Sequence, residues 1–356
     1  MSNKLISEYG YTEFFNKQIA DFDMGDVELI PARVIEVHRE EYKIVTDYGE
    51  TTARLKASLF YNDENSIYPS IGDFVLVKRN PYGEDVIYRV LERKSKFSRM
   101  DTWNGKEQIV ATNFDYVFII SSLNQDFNIN KMERYLSTSW ESGGSPVIIL
   151  TKADLCHDYS VYLERLESIA IGVPIIIVSA HTGIGLEEVE EYIKPSKTIV
   201  FLGSSGVGKS SLVNAIAGKE IMKVNDIRID DDKGRHTTTH RQLIMLENGS
   251  MIIDTPGMRE LGLWDVSEGI NATFNEIENL ASKCKFSDCK HISEPGCVVK
   301  AAIENGEISI DRWKNYSKLK KEAEFAKRKE DINIMLKEKS YKKNLSKFQK
   351  SLKQNK

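Results

Sequence analysis

With 356 residues, a formal net charge of −4 and 29% charged side chains, the chain has the composition of a soluble globular protein and the length for two or three domains. It holds no run of eighteen apolar residues, and Met1 to Gly10 lacks the basic and apolar regions of a secretory leader, so membrane insertion and export are excluded as expectations and the cytoplasm is the expected compartment. Charge is uneven: Arg312 to Lys356 carries 16 basic and five acidic residues, a net of +11, which leaves −15 for the rest.

Residues 1–27 place Leu5, Tyr9, Phe14, Phe15 and Ile19 at imperfect helical spacing and read as a packing or interaction arm. From 28 to 95 the pattern becomes short alternating runs, 32–37, 42–45, 51–55, 74–77 and 86–91, separated by turn signals such as Asp47-Tyr48-Gly49 and Asn80-Pro81-Tyr82-Gly83. Five short strands in about 65 residues predict an all-β barrel of the OB-fold kind. Arg33, Arg54, Lys56, Tyr42 and Tyr48 are its candidate cations and stacking rings for RNA. Lys94 to Arg99 reads as a linker.

Over 105–268 near-continuous apolar runs alternate with helical patterns: strands at 116–121, 146–150 and 173–178, helices at 131–140, 161–170 and 186–193. This alternation predicts a parallel sheet covered on both faces, with ligands at the carboxyl ends of its strands. The run Ile199-Val200-Phe201-Leu202 leads into Gly203-Ser204-Ser205-Gly206-Val207-Gly208-Lys209-Ser210, followed by Ser211 and an apolar helix. That spacing is G-x-x-x-x-G-K-[ST], in which backbone N–H groups wrap nucleotide phosphates. Lys209 reaches the β- and γ-phosphates, and Ser210 sets its hydroxyl on Mg²⁺.

Two upstream strand ends carry further chemistry. Thr151-Lys152-Ala153-Asp154 fits the [NT]-K-x-D pattern, whose carboxylate accepts from both N1–H and N2–H₂ of guanine, a contact adenine cannot make. Ser179-Ala180 closes the next strand, with the Ala180 N–H expected at O6. Downstream, Met251 to Asp254 is a strand ending in Asp254-Thr255-Pro256-Gly257: Asp254 is expected to hold Mg²⁺ through a water, and the Gly257 N–H to sense the γ-phosphate. Between them lies Gly234-Arg235-His236-Thr237-Thr238-Thr239, one of whose threonines is the expected magnesium ligand, Thr238 by its distance from the strand at Gln242.

Residues 269–330 hold Cys284, Cys289, His291 and Cys297, three thiolates and an imidazole interleaved with charged residues, the donor set of a closed structural zinc site. Cys156 lies apart. Helices are expected at 298–305 and 313–329, with a basic tail over 331–356.

These signatures stand in an unusual order, because the base-reading segments precede the phosphate loop. The chain therefore resembles a circularly permuted GTPase, and with the barrel before it and the Cys/His cluster after it, it resembles the ribosome small-subunit-dependent GTPases of the RsgA or YjeQ type over roughly residues 30 to 311. The resemblance implies a multidomain protein: an N-terminal OB-fold barrel, a central α/β permuted P-loop GTPase domain and a C-terminal α-helical zinc-binding domain. It further implies GTP and GDP as ligands, the small (30S) ribosomal subunit and its rRNA as partners, a monomer, and hydrolysis that stays slow until the subunit stimulates it. Thr151 stands where many GTPases have Asn, which predicts modest affinity. Met258 stands where Ras-like enzymes have the Gln that orients water, so His236 or RNA is the expected supplier of that group. Two alternatives remain: a permuted GTPase of the large subunit, against which the barrel argues, and a nucleotide-insensitive RNA-binding assembly factor, against which intact Lys209, Ser210 and Asp254 argue.

Overall fold

Side chains two apart on a pleated strand share one face, and the alternating runs after residue 28 use this to enclose a core. Strands β1 (Ile30–His38), β2 (Glu41–Thr46), β3 (Gly49–Leu55), β4 (Phe74–Lys78) and β5 (Asp85–Val90) pair in the order β1-β2-β3-β5-β4, and β4 returns to β1. The ring is antiparallel except for β3 against β5, and it is the closed five-stranded barrel expected. Val34, Ile44, Ala53, Val75 and Ile87 fill it. The computed structural model describes residues 5–20, 27–38, 41–60, 67–100, 107–124, 127–222, 242–254, 266–292 and 294–328. Two units emerge, one drawn from 1–97 and 109–261 and the other from 98–108 and 262–356.

In the first unit the N-terminal segment forms α1 (Leu5–Glu8) and α2 (Glu13–Ala20), which bury Ile6 and Phe15 against Phe74, Leu76 and Leu91. It is a packing element. Helix α3 (Ala57–Phe60) contributes Phe60 to the barrel core.

Two residues expected to face RNA do not. Tyr42 is 4% exposed inside the barrel, and Arg33 is 1% exposed on its outer side. The alternation of β1 correctly sends Ala32 and Val34 inward and Arg33 outward, but that outer face is covered by the rest of the unit. Tyr48 stays open with the Arg79 guanidinium 3.9 Å from its ring, whereas Arg54 pairs with Glu84 at 2.6 Å and the Lys56 ammonium lies 4.0 Å from the Tyr88 ring.

The segment read as a linker is strand instead. Residues 96–100 form β6 (Lys96–Met100), which pairs with β7 (Glu107–Thr112), and buried Phe97 stacks on Phe114 at 4.7 Å. Phe97 and Met100, three apart among polar neighbours, show no alternation, so a short strand of this kind leaves no signal.

The parallel sheet follows: β8 (Tyr116–Ser122), α4 (Ile129–Glu141), β9 (Ser145–Thr151), α5 (Ser160–Glu167), β10 (Ile175–Ile177), α6 (Leu186–Glu190), β11 (Thr198–Leu202), α7 (Lys209–Ala217), β12 (Gln242–Met245) and β13 (Met251–Asp254). Its order is β10-β9-β8-β11-β13-β12, with only β12 antiparallel. Both faces are covered, which is why the strands read as unbroken apolar runs. Ile119, Ile148 and Val200 pack with Met132 and Leu136 of α4 and Leu166 of α5. Phe118, Ile149 and Phe201 pack with Val189 of α6 and Leu212 and Val213 of α7. The β12 edge joins β1 through Glu36 and Gln242, so barrel and sheet are continuous.

The second unit contains α8 (Ser267–Thr273), α9 (Asn275–Ala281), α10 (Val298–Glu304) and α11, the helix over 310–328. Ile270, Phe274, Ile277, Val299, Tyr316 and Leu319 form its core. The Tyr316 hydroxyl donates to Glu278 at 2.6 Å and Lys320 to the same oxygen at 2.9 Å, which fastens α11 to α9. Among the described residues no helix is long and apolar enough to cross a membrane.

Within the barrel, Asp73 is fully buried and accepts Arg93 Nε at 2.7 Å and Nη2 at 2.6 Å. Arg93→Ala strands that carboxylate, and its urea unfolding midpoint should fall by the equivalent of about 3 kcal/mol. The double variant Asp73→Asn, Arg93→Gln removes both charges of the pair and should lose less; the reverse order would show that the pair is not what stabilises this corner.

Candidate functional site

Five parallel strands deliver their carboxyl ends to one edge of the sheet. Ser179 and Ala180 follow β10, Thr151 ends β9, Gly203 follows β11, and Asp254 ends β13. Segments a hundred residues apart therefore meet there, whatever their order along the chain.

The loop after β11 turns on glycine. Gly203, Gly206 and Gly208 have φ of 154°, 75° and 91°, and a Cβ on Gly203 would stand 2.5 Å from the Ile120 carbonyl oxygen. This conformation brings successive N–H groups toward one concavity, with the start of α7 behind it. Gly208 is the N-cap residue, and its carbonyl accepts from Leu212 N at 2.9 Å. Lys209 folds over the loop, donating Nζ to the carbonyls of Gly203 at 2.6 Å and Ser204 at 2.8 Å. Ser205 is exposed, Val207 is buried, and Ser210 and Ser211 are half-buried in the first turn of α7. Asn214, which belongs to none of the sequence motifs, pins the chain leaving α7: its amide accepts from Ile221 N and Met222 N and donates to the Met222 carbonyl. A polar residue inside an apolar helix was its only signal.

Thr151 is 3% exposed, and its hydroxyl donates to the Val207 carbonyl of the phosphate loop, with the Ser121 carbonyl 3.3 Å away. The two loops are thus bonded directly. Lys152 sits at φ 63° and ψ 38°, left-handed backbone that a non-glycine residue adopts at a cost and that clusters at functional sites. Ala153 is buried and its N–H bonds the Val178 carbonyl at 3.2 Å. Asp154 is exposed and aimed by Ser179, whose hydroxyl donates to Oδ1 at 2.5 Å and accepts from Thr182 N at 3.1 Å. The Ser179 hydrogen bond holds the Asp154 carboxyl below its ordinary range, outweighing a small desolvation in the other direction. Ala180 is half-buried in the turn beyond.

Asp254 behaves oppositely: burial pushes its carboxyl up, and the Lys209 ammonium opposes that rise. A desolvated carboxylate facing a cation is a hard oxygen donor suited to Mg²⁺. Thr238, His236 and Gly257, together with Thr237, Thr239 and Met258, lie outside the described residues.

In the second unit the ligand atoms of Cys284, Cys289, His291 and Cys297 lie within 4.8 Å of one another. His291 Nδ1 is 3.5 Å from Cys284 Sγ and 3.4 Å from Cys297 Sγ, and those sulfurs are 4.0 Å apart. A tetrahedral ion with bonds of ~2.3 Å to sulfur and ~2.0 Å to nitrogen needs edges of about 3.8 and 3.5 Å, so the cluster fits a structural metal closed by four protein donors. Cys297 Sγ also accepts from Lys300 N at the start of α10. Glu294, outside the expected donor set, accepts from Lys290 N and Ile292 N, both at 3.0 Å, and braces the knuckle; His291 between them has φ 60°. Cys156 is not part of the cluster.

Residues 90–264 match the family model described as RsgA GTPase. Residues 186–352, a span that includes the phosphate loop, also match a model described as ABC transporter; the G-x-x-x-x-G-K-[ST] pattern is common to P-loop nucleotidases. The chain is 45% identical over 326 residues to the small ribosomal subunit biogenesis GTPase RsgA 2 of Listeria monocytogenes, covering 91% of each. Its fold is similar to the crystal structure of YjeQ from Thermotoga maritima, with TM-score 0.64, 30% identity, and 83% of this chain and 99% of that one covered. It is also similar to YloQ, described as a circularly permuted GTPase, with TM-score 0.61, 25% identity, and 85% and 98% covered.

Elemental analysis should find one metal ion per chain. Cys289→Ala or a strong chelator should remove it and unfold the helices around it, read as lost helical circular dichroism, while guanine-nucleotide binding persists; full retention of that signal without metal would deny the ion a structural role.

Proposed function

Since this chain belongs to the RsgA GTPase family, we propose that it binds GTP at the strand-end edge of its parallel sheet and hydrolyses it to GDP and phosphate in the maturation of the small ribosomal subunit. The observation that supports this most is the Thr151 hydroxyl on the Val207 carbonyl, because it binds the segment suited to a base to the segment suited to phosphates. A nucleotide is the ligand that presents both at that separation.

In this reading Asp154, held by Ser179, accepts from N1–H and N2–H₂ of guanine, the Ala180 N–H meets O6 and the Lys152 stem lies along the base. N–H groups from Gly203 to Ser211 wrap the phosphates. Lys209 exchanges the carbonyls of Gly203 and Ser204 for phosphate oxygens. Ser210, Thr238 and Asp254 are the residues that would hold Mg²⁺, Asp254 through a water, and the ion would supply charge neutralisation on the phosphates. Gly257 senses the γ-phosphate. Met258 cannot orient a water, so basal turnover is low and His236 or an RNA group supplies what is missing. Zinc is the metal of the Cys₃His cluster, by donor type.

The barrel over 28–95 and the zinc-binding domain over 269–330, with the basic tail at 331–356, grip the small subunit and its rRNA, while the permuted GTPase domain over 105–268 couples hydrolysis to release. The protein works in the cytoplasm as a monomer. A large-subunit target is disfavoured by relatives named for the small subunit.

Small (30S) subunits should raise GTP turnover strongly and large (50S) subunits should not; equal stimulation by both would redirect the assignment. Lys209→Ala should abolish turnover with and without subunits. Asp154→Ala removes two hydrogen bonds to a charged acceptor, so its preference for GTP over ATP should fall roughly 10–100-fold in competition binding; an unchanged preference would move the base elsewhere.

A further inference from the structure

We propose that the open groove between the metal knuckle and α11 holds a short unpaired RNA segment, with its bases on Trp313, Phe325 and Ile292 and its phosphates on Lys290, Lys318 and Lys321. The groove has a volume of about 700 Å³ and lies wholly in the second unit. It deepens the ribosomal reading, on which it rests only for the source of the RNA.

The helix supplies one wall by its period. Trp313, Ser317, Lys321 and Phe325 recur every four residues and so form one row, with Lys318 in the row beside it. The opposite face of α11 does the packing, through Tyr316, Leu319, Ala323 and Ala326, all buried. Phe325 is left 69% exposed and Ile292 74% exposed, so the fold buries neither of these large apolar side chains. Both line the same groove. Exposed apolar groups gathered in one place mark an interaction surface.

The knuckle supplies the other wall and keeps it rigid. Glu294 fixes the backbone of Lys290 and Ile292, and the His291 ring meets Trp313 edge-on, 5.6 Å between centroids at 87°. Trp313 also leans on Tyr316 at 5.4 Å. Its ring plane is therefore set before any ligand arrives, which lowers the cost of ordering on binding.

Charge then selects the occupant. Lysines 290, 314, 318 and 321 outnumber the single carboxylate among the lining residues, Glu322, and call for a polyanion. A paired duplex keeps its bases inside the stack and would touch the lysines alone, leaving the apolar floor bare. An unpaired strand offers base faces and phosphates together, which matches rings flanked by ammonium groups.

The test uses the full metal-loaded chain, a labelled mixed-sequence single strand without self-pairing, and an RNA duplex of equal length. Phe325→Ala should weaken single-strand binding roughly 5- to 100-fold, with the salt dependence unchanged and duplex binding unaffected. Lys321→Gln should weaken it too and lower the slope of log K against log salt by about 0.7. Metal content and basal GTP turnover should match the parent chain. Unchanged single-strand affinity in Phe325→Ala, an equal loss for the duplex, or polyglutamate binding that depends on Phe325 to the same degree would each overturn the proposal. Failure here with 30S stimulation intact sinks the groove alone; groove binding as expected with no 30S stimulation sinks the ribosomal reading alone.

Discussion

A guanidinium buried away from water is the joint of the first unit. Arg33 donates to the carbonyls of Tyr9, Gly72 and Asn113, and its Nη1 lies 3.4 Å from Met251 Sδ. Its Cζ is 4.9 Å from the Phe74 ring centroid. These partners come from the N-terminal segment, the barrel, the turn before β8 and the start of β13. Burial lowers the Arg33 pKa to about 10, which still leaves it charged at neutral pH, with Asp115 and Asp73 favouring the charge from further off. A buried cation is tolerable only when carbonyls take up its N–H groups, so each of these four segments must stay where it is for Arg33 to remain inside.

The same joint leads toward the strand-end edge of the parallel sheet within a few residues. Met251 begins β13 and Asp254 ends it. Asp254 lies opposite Gln242 on β12, and Gln242 lies opposite Glu36 on β1, where its side-chain amide also donates to the Glu36 carboxylate at 3.2 Å. One residue therefore separates a barrel strand from the carboxylate that faces Lys209. Because sheet pairing is set by register, a slip of the barrel against β12 would carry the side chains of the whole edge to the wrong face. Barrel and site are built as one piece of sheet.

How legible these features were in the sequence depended on whether local chemistry required them. The glycines of the loop after β11, Lys209, Asp154 and the Cys/His set were legible because motifs suited to a phosphate, a base or an ion keep fixed spacings, and the structure brings the first three to the strand-end edge and the Cys/His set into one cluster. Strand alternation also told correctly which side of β1 faces the barrel core. It could not tell that the far side is covered, since the cover over Arg33 comes from segments 24 to 218 residues away, whereas Tyr42 lies on the core side of β2, where an aromatic residue of a short strand has the same appearance whether it faces the core or a ligand. Helices α8 and α9 went unassigned for a different reason: neither begins with a side-chain cap, and Val266 and Phe274 occupy those positions. The brace at Glu294 was invisible because an acidic residue beside a metal cluster has the same appearance whether it bonds backbone or water.

Circular permutation leaves this site intact because each parallel strand contributes only its carboxyl end, and the edge is indifferent to which strand comes first. What it must still preserve is the bond between the two loops. An asparagine at position 151 would bring two donors and an acceptor to that contact, whereas the Thr151 hydroxyl has a single proton for the carbonyls of Val207 and Ser121. The proton goes to the closer one, Val207, which belongs to the phosphate loop. Threonine thus keeps the connection between loops and gives up the further bonds that an amide would make, and its β-branched side chain, buried in a single setting, holds the hydroxyl there without a second anchor.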